Sequence, residues 1–165
     1  MSQYIMKRSI GYQYCGLFHF TYICNSHSLI FIVIENWPME KLNILIIEDE
    51  GLIAINTQIL LEDMGHHVMA VAHTGKTALE AAEEEVPDLA LVDIKLKGSM
   101  SGIETARELN GRLNVPVLYI TGNTDRKTLD EALSINNLGL LQKPFDDIEL
   151  EEAIISAASQ IDKKH

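Results

Sequence analysis

Two patterns of apolar and polar positions meet in this chain near Met39. From Asn43 onward, short aliphatic runs alternate with stretches of helical spacing. Asn43–Ile47 predicts a first strand, and Leu52, Ile55, Ile59 and Leu60 then recur at helical intervals until Gly65 ends the helix. Val68–Ala72 predicts a second strand; Ala78, Leu79, Ala82 and Val86 mark a second helix, which Pro87 stops. Leu89–Asp93 is the third strand, and after the loop Lys95–Gly102 a helix carries Ile103, Ala106, Leu109 and Leu113 on one face. Pro116 introduces a fourth strand, Val117–Thr121, and Leu129, Ala132 and Leu133 lie on the helix after it. Gly139–Gln142 predicts the fifth strand, and Leu150, Ala153, Ile154, Ala157 and Ile161 stripe the last helix.

Five such βα units imply an α/β fold, a parallel sheet with helices on both faces. The unbroken aliphatic run Ile44–Ile47 fits a strand buried on both sides. Five units are too few for an eight-stranded barrel, so an open doubly wound sheet remains. Its functional crevice lies at the carboxyl ends of the strands.

Residues 1–38 read differently. They hold Cys15, Cys24, Trp37, four of the five tyrosines and three of the four phenylalanines, with no regular period. Three readings stay open. Lys7-Arg8 before an uncharged stretch resembles a signal or anchor, but only Leu29–Ile34 is continuously apolar, far short of the roughly 20 residues a spanning helix needs. The segment is otherwise a true extension, with Leu29–Ile34 an extra strand or docking patch. In the third reading translation begins at Met39, and 39–165 is the domain.

The 165 residues suit one domain, and with 47% hydrophobic and 22% charged residues they form a packed core. The net charge is −11; the segment 1–38 carries only Lys7, Arg8 and Glu35, so residues 39–165 carry −12. A surface that acidic repels phosphate backbones and argues against direct nucleic-acid binding. Two cysteines make neither a disulfide framework nor a C-x-x-C pair, which points to the reducing cytoplasm. No membrane association is expected.

Chemistry concentrates at the predicted carboxyl ends. Strand one runs into Glu48-Asp49-Glu50, strand three ends in Asp93, strand four in Thr121, and strand five meets Lys143-Pro144. Carboxylates converging at one rim repel each other unless a cation sits between them. Oxygen ligands with retained waters suit Mg²⁺. The acidic loop after strand one disfavours a pre-bound anion, and no G-x-G-x-x-G, G-K-[ST] or G-x-S-x-G motif occurs. A dehalogenase-type hydrolase would need a second aspartate two residues after the first, and position 95 is Lys.

These residues resemble the receiver domain of two-component response regulators, over residues 42–161. The intervals of 44, 28 and 22 residues from Asp49 to Asp93, Thr121 and Lys143, with the contexts IIEDE, LVDIKLKG, VLYITG and LLQKPF, carry the resemblance. It implies a flavodoxin-like (βα)₅ fold with strand order 2-1-3-4-5. It also implies that Asp93 accepts a phosphoryl group from a sensor histidine kinase or histidine phosphotransfer protein. Asp49 and Asp93 would bind Mg²⁺ directly, with the carbonyl of Lys95 and, through water, Glu48. Lys143 and Thr121 would hold phosphoryl oxygens, and Lys143-Pro144 would be cis.

Three departures from the resemblance stand out. Leu140 occupies the place of the usual switch aromatic, with Tyr119 on the face of Thr121 as a substitute. Lys95 puts a cation two residues after the acceptor. No output domain follows, so the expectation is a single-domain regulator acting on a separate effector protein, without enzymatic activity beyond self-phosphorylation and slow self-dephosphorylation. A phosphorylation-dependent homodimer stays open, as does the alternative of a phosphorylation-independent adaptor. Glu83-Glu84-Glu85 reads as a solvated helix face, and His66-His67 as polar surface in a turn.

Overall fold

The computed structural model describes backbone strands at 10–15, 18–25 and 28–34, and residues 41–122 and 124–161 in full. Two compact units divide the chain, Met1–Met39 and Glu40–His165. In the first, β1 (Ile10–Cys15), β2 (Phe18–Asn25) and β3 (Ser28–Ile34) form an antiparallel meander in the order β1-β2-β3. Leu29–Ile34 is thus a strand. The expected start at Met39 lies outside the described residues. Among the described residues no helix is long and apolar enough to cross a membrane.

The second unit alternates strand and helix throughout. The strands are β4 (Asn43–Ile47), β5 (His67–Ala72), β6 (Leu89–Asp93), β7 (Val117–Thr121) and β8 (Leu140–Gln142). The helices are α1 (Gly51–Asp63), α2 (Gly75–Glu84), α3 (Gly102–Leu113), α4 (Arg126–Ser134) and α5 (Asp147–Ile161). All strand pairs are parallel, in the order β5-β4-β6-β7-β8. Within this unit that is the expected 2-1-3-4-5. Leu45, Ile47, Val92 and Tyr119 join Ala78 and Ala82 of α2, Ala106 and Leu109 of α3, and Ala132 of α4 in one core. Side-chain alternation sends Ile44 and Ile46 to the other face, which α1 and α5 cover.

Local chemistry fixes the helix ends. The last turn of α1 closes as a Schellman motif: the Gly65 N–H donates to Glu62 and the His66 N–H to Leu61, with Gly65 at φ +90°. Helix α3 opens with a capping box between Ser101 and Glu104 and closes on Asn114 at φ 56°. Asp125 caps α4, and Asp146 and Glu149 exchange hydrogen bonds at the start of α5.

Helix α1 exists where its spacing placed it, yet three of the four residues that marked it face outward. Leu52 is 86% exposed, and Ile55 and Ile59 are more than half exposed. Ala54, Thr57 and Leu61 point inward instead. The helix is apolar nearly all round, so spacing alone cannot choose its buried face. Two of the three inward residues, Ala54 and Thr57, are small and let the helix axis approach the sheet. Val86 likewise lies beyond the end of α2 and is 54% exposed.

His66 corrects the surface reading of the His66-His67 pair. Its ring is buried, and its Nδ1 accepts the N–H of Leu42 at 3.3 Å. The Schellman turn folds it under the start of β4. An accepting Nδ1 requires an unprotonated nitrogen, and burial lowers the pKa from its ordinary 6.5. The unfolded chain therefore binds a proton that the folded chain refuses. Stability is expected to fall as pH drops through 6.5 toward the lower folded value, by at most about 1.4 kcal/mol per pH unit. His66→Asn offers an oxygen near Nδ1 that does not titrate. Denaturant melts between pH 5 and 7 should be flatter for that variant; parallel profiles would refute the role.

Candidate functional site

The sheet delivers its polar residues to one rim. Ile47 ends β4 and Glu48-Asp49 follow it; Asp93 and Thr121 are the last residues of β6 and β7, and Lys143 is the first after β8. Parallel strands put all of these at carboxyl ends, so residues far apart in sequence converge. The Lys143–Pro144 peptide is cis, as expected, and the Lys143 N–H donates to the Thr121 carbonyl at 2.6 Å. This anchors the lysine backbone to the neighbouring strand.

Lys143 then reaches two acids. Its Nζ donates to Asp93 Oδ2 at 2.7 Å and to Glu48 Oε2. Asp93 is 5% and Glu48 3% exposed, so the clamp is nearly dry. Burial works against the lysine's charge, but the hydrogen bonds and charges of Asp93 and Glu48 outweigh it and hold its pKa above the ordinary value. Burial also pushes the Glu48 carboxyl up, and the bonds from Lys143 and the Glu50 N–H pull it part of the way back. The second oxygen of Asp93 accepts the Lys95 N–H at 2.9 Å. The carboxylate is therefore fixed at both oxygens.

Glu48, Asp49 and Asp93 each offer a carboxylate oxygen, and these lie within 4.8 Å of one another. Three hard oxygen donors at that separation fit one small divalent cation, with room for water on the exposed side. Asp49 is held differently from the other two. Lys97, from the loop after β6, bonds its Oδ2 at 2.8 Å. Burial raises the Asp49 carboxyl, but Lys97 outweighs that and keeps it below the usual range.

Thr121 is buried, and its hydroxyl contacts that of Thr124 and the carbonyl of Gly122 rather than Asp93. Two residues earlier, Tyr119 is fully buried in the core beneath α3 and α4, and its hydroxyl has no partner among the described residues. Burial pushes that hydroxyl up to about 12. Leu140 pairs with Tyr119 across β7 and β8 and stays partly exposed. Beside Lys143 an open groove of about 510 Å³ runs between α1 and the turn after β8, lined by Leu52, Ile53, Asn56, Pro144 and Phe145.

The structure thus brings together Glu48, Asp49, Asp93 and Lys143, with Thr121 at the same rim and Lys95 contributing through its backbone. Three further residues contribute. Gly102 lets α3 start against the acceptor strand, since a Cβ there would sit 1.8 Å from the Asp93 carbonyl oxygen. The Nδ1 of His73 lies 2.8 Å from the Glu48 carbonyl. Lys97 is the third. Gly102 had a signal, a glycine just after a capping serine; the other two depend on loops crossing between strands.

Comparison with known proteins agrees with this fold. Residues 44–155 match the model of the response regulator receiver domain. The phyllosphere-induced regulator PhyR of Methylorubrum extorquens is 39% identical over 116 residues, which is 70% of this chain and 42% of that protein. The transcriptional regulatory protein PdtaR of Mycobacterium tuberculosis is 32% identical over 117 residues, 71% of this chain and 57% of that one. The chain therefore spans less than two thirds of the length of these curated relatives. Among solved structures, the signal receiver domain of a modulated diguanylate cyclase from Desulfovibrio desulfuricans superposes with a TM-score of 0.72 at 35% identity, covering 76% of this chain and all of that one. A match over most of the compact second unit, with the acidic cluster and lysine clamp at its carboxyl rim, settles the family: the chain belongs to the response regulator receiver domains of two-component signalling.

Proposed function

We propose that Asp93 is the phosphoacceptor of this regulator, and that a histidine kinase or histidine phosphotransfer protein supplies the phosphoryl group. One observation carries the reading. Asp93 is buried at a strand end, with one oxygen on the Lys95 N–H, the other on Lys143, and two further carboxylates within reach of a shared cation. A carboxylate oxygen attacks the phosphorus, the N–P bond of the donor breaks, and the imidazole leaves with the electron pair. Asp49 and Asp93, the Lys95 carbonyl and, through water, Glu48 would hold Mg²⁺. When bound, that ion neutralises charge on the transferring group. Lys143 stays to pair with a phosphoryl oxygen, and Thr121 leaves Thr124 to donate to another.

The groove beside Lys143 supports the partner reading. Leu52 lines it at 86% exposure, which is apolar area a docking protein would remove from water. Output then passes to a separate effector through the loop from Thr121 to Arg126 and α4, because Leu140 carries neither ring nor hydroxyl. Residues 39–165 are the receiver and 1–38 a distinct segment. In Mg²⁺ and acetyl phosphate, the full chain and a chain beginning at Met39 are both expected to gain one hydroxylamine-sensitive phosphoryl group. No adduct on either would favour the phosphorylation-independent adaptor. Steady release of free phosphate would favour a hydrolase. An adduct on the full chain alone would overturn the domain boundary.

A further inference from the structure

Among the described residues, Lys143 pairs with Glu48 and Asp93 and Lys97 pairs with Asp49, and these two lysines are held very differently. Lys143 has a side chain 13% exposed, bonds two acids at once, and is anchored through its own N–H. Lys97 has a side chain 81% exposed and touches one acid, Asp49, at 2.8 Å. Asp49 itself is only 11% exposed, and Lys97 holds one of its two carboxylate oxygens. An incoming divalent ion and an ammonium group held on the same carboxylate repel each other. Because exposed ion pairs are individually weak, Lys97 can be displaced where Lys143 cannot.

We propose that Lys97 is an internal counter-cation: it occupies Asp49 in the metal-free protein and competes with the divalent ion, thereby setting the metal affinity of the site. The proposal rests on the reading of Glu48, Asp49 and Asp93 as a Mg²⁺ site. It makes Lys97 a positioning residue whose departure accompanies metal entry. Without it the rim would carry an uncompensated Asp49 beside a nearly dry clamp. With it the cost of holding that carboxylate ready is lowered, and affinity is lowered in the same measure.

The test is a Mg²⁺ titration followed by calorimetry and by amide chemical shifts at Asp49 and Gly98. Lys97→Met should bind Mg²⁺ about two- to fivefold tighter, the range expected for loss of one exposed ion pair. Lys97→Arg should restore affinity toward the wild type. Lys41→Met removes the same charge from the opposite, amino-terminal end of β4 and should change affinity much less. The shift change at Gly98 on adding metal should shrink in Lys97→Met, because no lysine remains to be displaced. A wild type that binds Mg²⁺ while Lys97→Met matches Lys41→Met, or binds more weakly, overturns the counter-cation role alone. A wild type with no saturable Mg²⁺ binding overturns the metal site and this proposal together.

Discussion

Asp93→Asn is expected to keep the fold and to take up no phosphoryl group from acetyl phosphate in Mg²⁺. The amide is nearly isosteric, and its oxygen can still accept the Lys95 N–H that Asp93 accepts at 2.9 Å. The close approach of Gly102 involves the Asp93 backbone, which the substitution leaves alone. Lys143 loses one charged partner and keeps Glu48. What disappears is the nucleophile, since an amide oxygen does not form a stable acyl phosphate. Intact-mass spectra after incubation, with thermal melts run alongside, check both halves of the prediction. An adduct on the variant at another aspartate would displace Asp93 from the acceptor role. A collapsed melt would mean that the charge of Asp93 supports the fold as well as the chemistry.

How much of this was legible beforehand differs by element. All five strands of the second unit lie within one residue of their expected bounds, and three of them, Asn43–Ile47, Leu89–Asp93 and Val117–Thr121, match at both ends. Continuous aliphatic runs leave little choice when helices cover both faces. Their ends were legible for the same reason: a change from Ile47 to Glu48-Asp49, or from Ile120 to Thr121, marks where burial stops and the rim begins. That placed Glu48-Asp49-Glu50, Asp93, Thr121 and Lys143 at one rim, and the resemblance to receiver domains supplied their roles.

Orientation was harder to read than existence. Helix α1 offers apolar residues on almost every side, so its period located the helix without revealing which side packs; Ala54 and Thr57, not Leu52 and Ile55, meet the sheet. His66 reads as a polar turn residue until the Schellman turn carries it under Leu42. Tyr119 was placed on the correct face by alternation, but its full burial depends on α3 and α4 closing over it. Lys95 drew attention as the cation nearest the acceptor in sequence. Lys95 is exposed, and it is Lys97 that the loop brings across to Asp49. That contact joins two loops from different strands, and no local pattern encodes it.

Lys143→Met tests the clamp itself, and its expected effect on stability is the largest of any substitution at the rim. Glu48 and Asp93 are both almost fully buried and both bonded to this one ammonium. Removing it leaves two facing carboxylates without a counter-charge, which costs about 3–5 kcal/mol for a dry pair and less where water reaches the rim. Chemical denaturation of metal-free protein at pH 7 should therefore show a loss of about 2–4 kcal/mol. The sign of the pH dependence follows from Glu48. Its folded carboxyl already sits above the ordinary 4.5 because of burial, and loss of Lys143 removes the principal influences that lower it. A raised folded value means the folded state binds the proton more tightly than the unfolded one. The deficit of the variant should thus narrow as pH falls from 7 toward that ordinary value. Mg²⁺ should narrow it too, because a divalent ion among Glu48, Asp49 and Asp93 supplies the missing positive charge. Wild-type protein should gain less from the same Mg²⁺, since its carboxylates are already balanced. If Lys143→Met is as stable as the wild type without metal, and gains no more from Mg²⁺, the buried acids do not depend on Lys143. The clamp would then have to be assigned to phosphoryl binding alone.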